Sequence, residues 1–115
     1  MISVRDSASK EKKENFYHGM LLGLLRFRED WYIKSNAESG AGYSDILIEI
    51  PQKRIGIVIE MKYAEQGRFD QACEAALQQI REKRYEEKLI EDGMKRVLAY
   101  GIACYRKECE VKMEE

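Results

Sequence analysis

Residues in the middle of the chain have the types and spacing for metal-assisted chemistry. Glu60 and Lys62 lie two apart, and on a β-strand such residues share a face. A carboxylate is a ligand for a hard divalent cation such as magnesium. An ammonium beside it can orient a water nucleophile or neutralise charge growing on a phosphate. The spacing alone says little. Sixteen Glu and eleven Lys would produce roughly 1.5 such pairs by chance, and the chain holds four: Glu11–Lys13, Glu60–Lys62, Glu86–Lys88 and Glu110–Lys112. Glu110–Lys112 also falls on a predicted strand, a solvated edge where charges guard against aggregation.

Context separates Glu60–Lys62 from the others. The pair ends the run Ile55 to Tyr63, apolar on both faces until Glu60, which is the pattern of a central strand covered by helices. The β-rich run Ile46 to Ile50 precedes it, with Asp45 at its start and a polar turn, Gln52 to Arg54, between the two runs. A turn that short makes the strands antiparallel. Folding back around it brings Asp45 near Glu60, so that two carboxylates converge on one cation with Lys62 adjacent. Glu14, in the first helix, can add a further acidic group. The bland alternative makes Asp45 a turn residue and Glu60–Lys62 an exposed ion pair.

The remaining elements follow from periodicity. Tyr17, Met20, Leu21, Leu24 and Leu25 form one helical stripe within Glu14 to Arg28. Gly19 and Gly23 lie beside that stripe and imply close approach of the helix to a sheet. Met1 to Lys13 reads as a polar lead-in and 14–115 as one domain. Trp31 to Ile33 is a short strand, and Ser35 to Ser44 is at least partly a turn. A helix from Phe69 to about Lys83 is followed by a shorter one, Tyr85 to Glu91, ending at Gly93. Strands at Val97 to Tyr105 and Cys109 to Met113 complete the chain. The order gives an α/β fold, a mixed sheet with helices on its faces.

The arrangement of Asp45, fourteen intervening residues and then Glu60-Met61-Lys62 resembles the PD-(D/E)XK nuclease superfamily. Further blocks agree in order: Glu14-Asn15-Phe16-Tyr17-His18-Gly19; Glu38-Ser39-Gly40 with Asp45-Ile46; Ala76-Leu77-Gln78-Gln79-Ile80 with Lys83 and Tyr85; Tyr100-Gly101-Ile102-Ala103. Together they are similar to the branch of nuclease-like domains often found C-terminal to an AAA-type ATPase domain. The resemblance implies a restriction-endonuclease-like αβββαβ core with a mixed central sheet flanked by helices. It implies Asp45 and Glu60 as ligands of Mg2+ or Mn2+, with Glu14 completing the shell. Lys62 would position or activate the attacking water. Gln79 would act near the scissile phosphate or the metal-bound water, Tyr85 would serve packing or phosphate contact, and Lys83 would contact substrate. Glu38 either reaches the site or shapes the turn. Ser44 stands where the superfamily name places proline. The implied activity is metal-dependent hydrolysis of phosphodiester bonds in nucleic acid, DNA above all. The alternative is a catalytically silent module of the same fold, binding nucleic acid or an ATPase partner.

Composition bounds these readings. At 115 residues the chain is one domain. Charged residues make up 36%, yet the net charge is −1, which disfavours a strongly basic nucleic-acid binder but not a local basic contact. The longest near-apolar run, Ile55 to Ile59, is too short to span a membrane, and no signal-peptide pattern opens the chain. Cys73, Cys104 and Cys109 lack zinc-site spacing and fit a reducing cytoplasm. His18 is read as a helix-surface or packing residue, since a single histidine without a partner makes no triad. Gly40-Ala41-Gly42 is read as turn chemistry. Arg81, Lys83, Arg84 and Lys88, interleaved with acids, are read as a solvated helical face. The edge strand Cys109 to Met113 offers a route to a homodimer.

Overall fold

The computed structural model describes residues 4–25, 28–38 and 43–115. Its elements are α1 (Val4–Leu25), β1 (Tyr32–Glu38), β2 (Tyr43–Ile50), β3 (Ile55–Tyr63), a 3-10 turn (Glu65–Gly67), α2 (Phe69–Glu82), α3 (Tyr85–Glu91), β4 (Arg96–Tyr105) and β5 (Glu108–Glu114). The strands form one sheet in the order β1-β2-β3-β4-β5. All neighbours are antiparallel except β3 and β4. That exception is where the helices lie. A parallel pair needs a crossover, and the segment from Glu65 to Glu91 supplies it.

The turn between β2 and β3 is tight. The amide of Lys53 donates to the carbonyl of Ile50 at 3.1 Å, and Arg54 adopts a left-handed φ of 53°. It sets the register Ile50↔Ile55 through Asp45↔Glu60. Side chains then alternate between two cores. Ile46, Ile48, Ile50, Ile59 and Met61 pack with Tyr17, Leu21, Leu22 and Leu25 of α1. Leu47 and Val58 turn to the other face, against Leu77, Ile80, Tyr85 and Leu89 of α2 and α3. Ile46 and Ile48 are among the largest fully buried side chains, each stabilising the fold by roughly 1.5–3 kcal/mol. The strand predicted to be central, β3, is central and covered on both faces.

Several expectations are corrected. Helix α1 starts at Val4, so the lead-in assigned to residues 1–13 is helical from that point. Strand β1 runs on to Glu38, through residues read as a turn. A strand pair satisfies backbone groups there that sequence pattern alone leaves to local turns. Gly19 and Gly23 do not mark a close approach among the described residues, for a β-carbon on either would meet none of them within 4 Å. The close approach is at Gly101, where an added β-carbon would lie 2.6 Å from the carbonyl oxygen of Cys73. Helix α2 sits directly on β4 because that position has no side chain. The glycine-containing turn at 39–42 lies outside the described residues.

Candidate active site

Asp45 and Glu60 are direct cross-strand partners on β2 and β3. Register decides this, and alternation then puts both carboxylates on the α2 side of the sheet with Leu47 and Val58. They are essentially sealed from solvent, at 0% and 1% exposure. Burying a carboxylate is costly unless it is paired and hydrogen-bonded. Three groups answer that cost. The ammonium of Lys62 lies 3.8 Å from Oε1 of Glu60, an ion-pair distance. Oδ2 of Asp45 accepts from Nζ of Lys83 at 3.0 Å and from the hydroxyl of Tyr85. Yet Oδ1 of Asp45 and Oε2 of Glu60 are buried and accept no hydrogen bond among the described residues.

Two unsatisfied acidic oxygens on register partners fit a hard divalent cation. Magnesium is commonly held by one or two carboxylates, with waters and substrate phosphates filling the other positions. Among the described residues no group of three or more His, Cys, Asp or Glu could hold a metal ion, so a two-carboxylate shell is the one this geometry can offer. Glu14 approaches from another element. It sits on α1, which covers the opposite face, and its Oε1 accepts the backbone amide of Tyr63 at 3.1 Å, one residue beyond Lys62. It meets the end of β3, and among the described residues it forms no three-acid cluster with Asp45 and Glu60.

The structure brings Asp45, Glu60, Lys62, Lys83 and Tyr85 together. Gln79, on the partly buried flank of α2, has a side-chain amide nitrogen that is buried with no hydrogen-bond partner among the described residues. It is a donor in reserve on the helix that covers the site. Lys83 departs from the solvated face read for its neighbours, for its side chain is only 20% exposed and is spent on Asp45. Nothing in local spacing could announce the contacts of Lys83 and Tyr85, which span 38 and 40 residues of sequence. His18 is buried and shares a 2.8 Å hydrogen bond with Ser35 Oγ, consistent with packing. The side chain of Glu38 lies outside the described residues.

A family model for the PD-(D/E)XK nuclease superfamily matches residues 12–114. No curated protein and no solved structure matches the chain. The mixed sheet flanked by helices is consistent with the restriction-endonuclease-like fold of that superfamily, whose members generally depend on divalent metal ions. With the match spanning nearly its whole length, the chain belongs to the PD-(D/E)XK nuclease superfamily.

Proposed function

We propose that this chain is a nuclease that hydrolyses phosphodiester bonds, with DNA as substrate and Mg2+ or Mn2+ as cofactor. One observation carries the reading: Asp45 and Glu60 stand opposite one another in register, each with a buried oxygen lacking a hydrogen bond. Those oxygens would hold the cation, which when bound polarises a phosphoryl oxygen and acidifies water. Lys62 supplies positive charge beside Glu60, suited to orienting the attacking water and to stabilising charge that grows on the phosphate. Lys83 and Tyr85 fix the carboxylate of Asp45 by engaging its other oxygen. The amide of Gln79 is available to donate toward a phosphate or a water at the covered side of the site.

Cleavage of plasmid and oligonucleotide DNA, with Mg2+ or Mn2+ and with chelator, tests this. Asp45→Asn and Lys62→Ala are each expected to lower the rate about 10²–10³-fold while circular dichroism stays native. Equal cleavage by the wild type and Asp45→Asn would falsify the assignment. A second reading has a specific observation behind it. Lys83 already neutralises Asp45 without any cation, as suits a silent module of this fold that binds nucleic acid or an AAA-type ATPase. Calorimetric titration decides between them. Divalent cation bound at millimolar concentration and lost in Asp45→Asn supports the nuclease; none bound supports the silent module.

A further inference from the structure

Strand β5 is the outer strand of the sheet, and its backbone chemistry can be read from its neighbour. The carbonyl of Cys104 accepts the amide of Ala64 at 2.9 Å, on the β3 side. Cys104 therefore makes no ladder bond to Cys109, its partner on β5. By the alternation of antiparallel ladders, the pairs Ile102–Val111 and Tyr100–Met113 are likewise non-hydrogen-bonded. The amides and carbonyls of Cys109, Val111 and Met113 thus face away from β4, toward the open edge. Val111 and Met113 also expose 55% and 54% of their surface. Such an edge is a template for another strand; β5 has no proline, and the charges that guard it against indiscriminate pairing leave it open to a strand whose charges complement them.

Its charges select which strand. Glu110 and Lys112 flank Val111 on the opposite face. We propose that β5 pairs antiparallel with β5 of a second copy, about a two-fold axis at Val111, joining two sheets into one. In that register Glu110 stands opposite the partner's Lys112, and Lys112, which also reaches Glu74 at 3.2 Å and Asp70 at 3.4 Å within its own chain, stands opposite the partner's Glu110. Both pairs fall at non-hydrogen-bonded positions, where side chains approach most closely. Glu108 meets the partner's Glu114, but Glu114 is already neutralised by Arg81 at 2.7 Å. Sliding by two residues sets Glu110 against its own copy, or Lys112 against its own. The Val111 register is the one that matches opposite charges around the axis. The interface is isologous and closes at two copies.

One strand pair buries less than the ~1,600 Å2 of a standard interface, so the dimer is weak, with Kd of about 10–500 μM. Sedimentation equilibrium from about 10 μM to 1 mM, spanning that range, tests the proposal without metal or nucleic acid. It is therefore independent of the nuclease reading. The wild type is expected to dimerise. Val111→Pro removes an outward amide that β4 does not use and is expected to raise Kd about tenfold or more. Glu110→Lys converts both charge pairs to repulsion and is expected to do the same; it decides the matter if the proline variant does not fold. A wild type that stays monomeric throughout overturns the proposal, as does a dimer whose Kd neither variant changes.

Discussion

Lys83 holds its ammonium 3.0 Å from Oδ2 of Asp45, a carboxylate with no exposure to solvent. The contact joins the residue that closes α2 to the strand that carries the candidate metal ligand. It leaves Oδ1 for a cation, and it keeps the buried charge compensated when no cation is bound.

Breaking that pair is expected to be costly. Removing one partner of a fully buried ion pair costs about 3–5 kcal/mol. Lys83 retains some exposure and Tyr85 still donates to Asp45, so Lys83→Met is expected to lose about 2 kcal/mol in chemical denaturation. Mg2+ should stabilise this variant more than the wild type, because ligand binding to the folded state adds stability by mass action. No loss of stability, or the same magnesium response in both proteins, contradicts the role given to Lys83.

Glu49 lies on the same face of β2 as Asp45, toward the strand's other end. Burial raises its pKa above the ordinary 4.5, and a hydrogen bond and the charge of Asp92 raise it further, with Lys88 opposing. The folded chain thus binds this proton more tightly than the unfolded chain. Stability falls as pH rises from about 4.5 through the raised value. Glu49→Gln removes that titration. Its melting temperature relative to wild type is expected to rise as the pH increases from about 4.5 through the raised value. A difference that does not change with pH, or falls, would show that Glu49 titrates normally.

Gly101 and Gly56 make a graded pair. A β-carbon at Gly101 meets a backbone oxygen of α2 at 2.6 Å, whereas at Gly56 the nearest atoms belong to the side chain of Leu89, at 3.0 Å and beyond. A side chain can shift where a packed helix cannot. Gly101→Ala is expected to cost about 3 kcal/mol and Gly56→Ala about 1 kcal/mol, across the usual range for overpacking. Urea unfolding of the two variants checks the order, and a reversal refutes the close contact of α2 with β4.

The three cysteines should differ in reactivity. Cys109 is exposed, while Cys73 and Cys104 are buried. Burial pushes both buried thiols up, and the hydrogen bond and charge of Cys109 raise Cys104 further. Since the thiolate is the reactive form, a thiol reagent at pH 8 (about half a unit below the usual thiol pKa) should modify one cysteine promptly and the others only as the chain opens. Cys109→Ser should abolish the prompt phase. A prompt phase that persists would place a second reactive thiol at the surface.

The strands from Ile55 to Tyr63 and Val97 to Tyr105 and the helix from Phe69 were legible because burial on both faces, or on one helical stripe, leaves a periodic mark in the residue types. The tight turn before Ile55 made the pairing of Asp45 with Glu60 deducible too, since a short connection permits few registers. The start of α1 was not legible. Val4 to Lys13 has no apolar stripe to announce a helix, and charged helical sequence resembles a polar tail.

Residue types and spacing were enough to identify a carboxylate pair with an adjacent lysine and to place them at the end of a central strand. Tertiary structure alone decided that Lys83 and Tyr85 grip Asp45, that Glu14 serves the Tyr63 amide, and that α2 rests on Gly101. Those contacts join residues tens of positions apart, through the path of a crossover and the packing of a helix on a sheet. No local periodicity encodes that geometry, because it arises when separate elements exclude water from the surface between them.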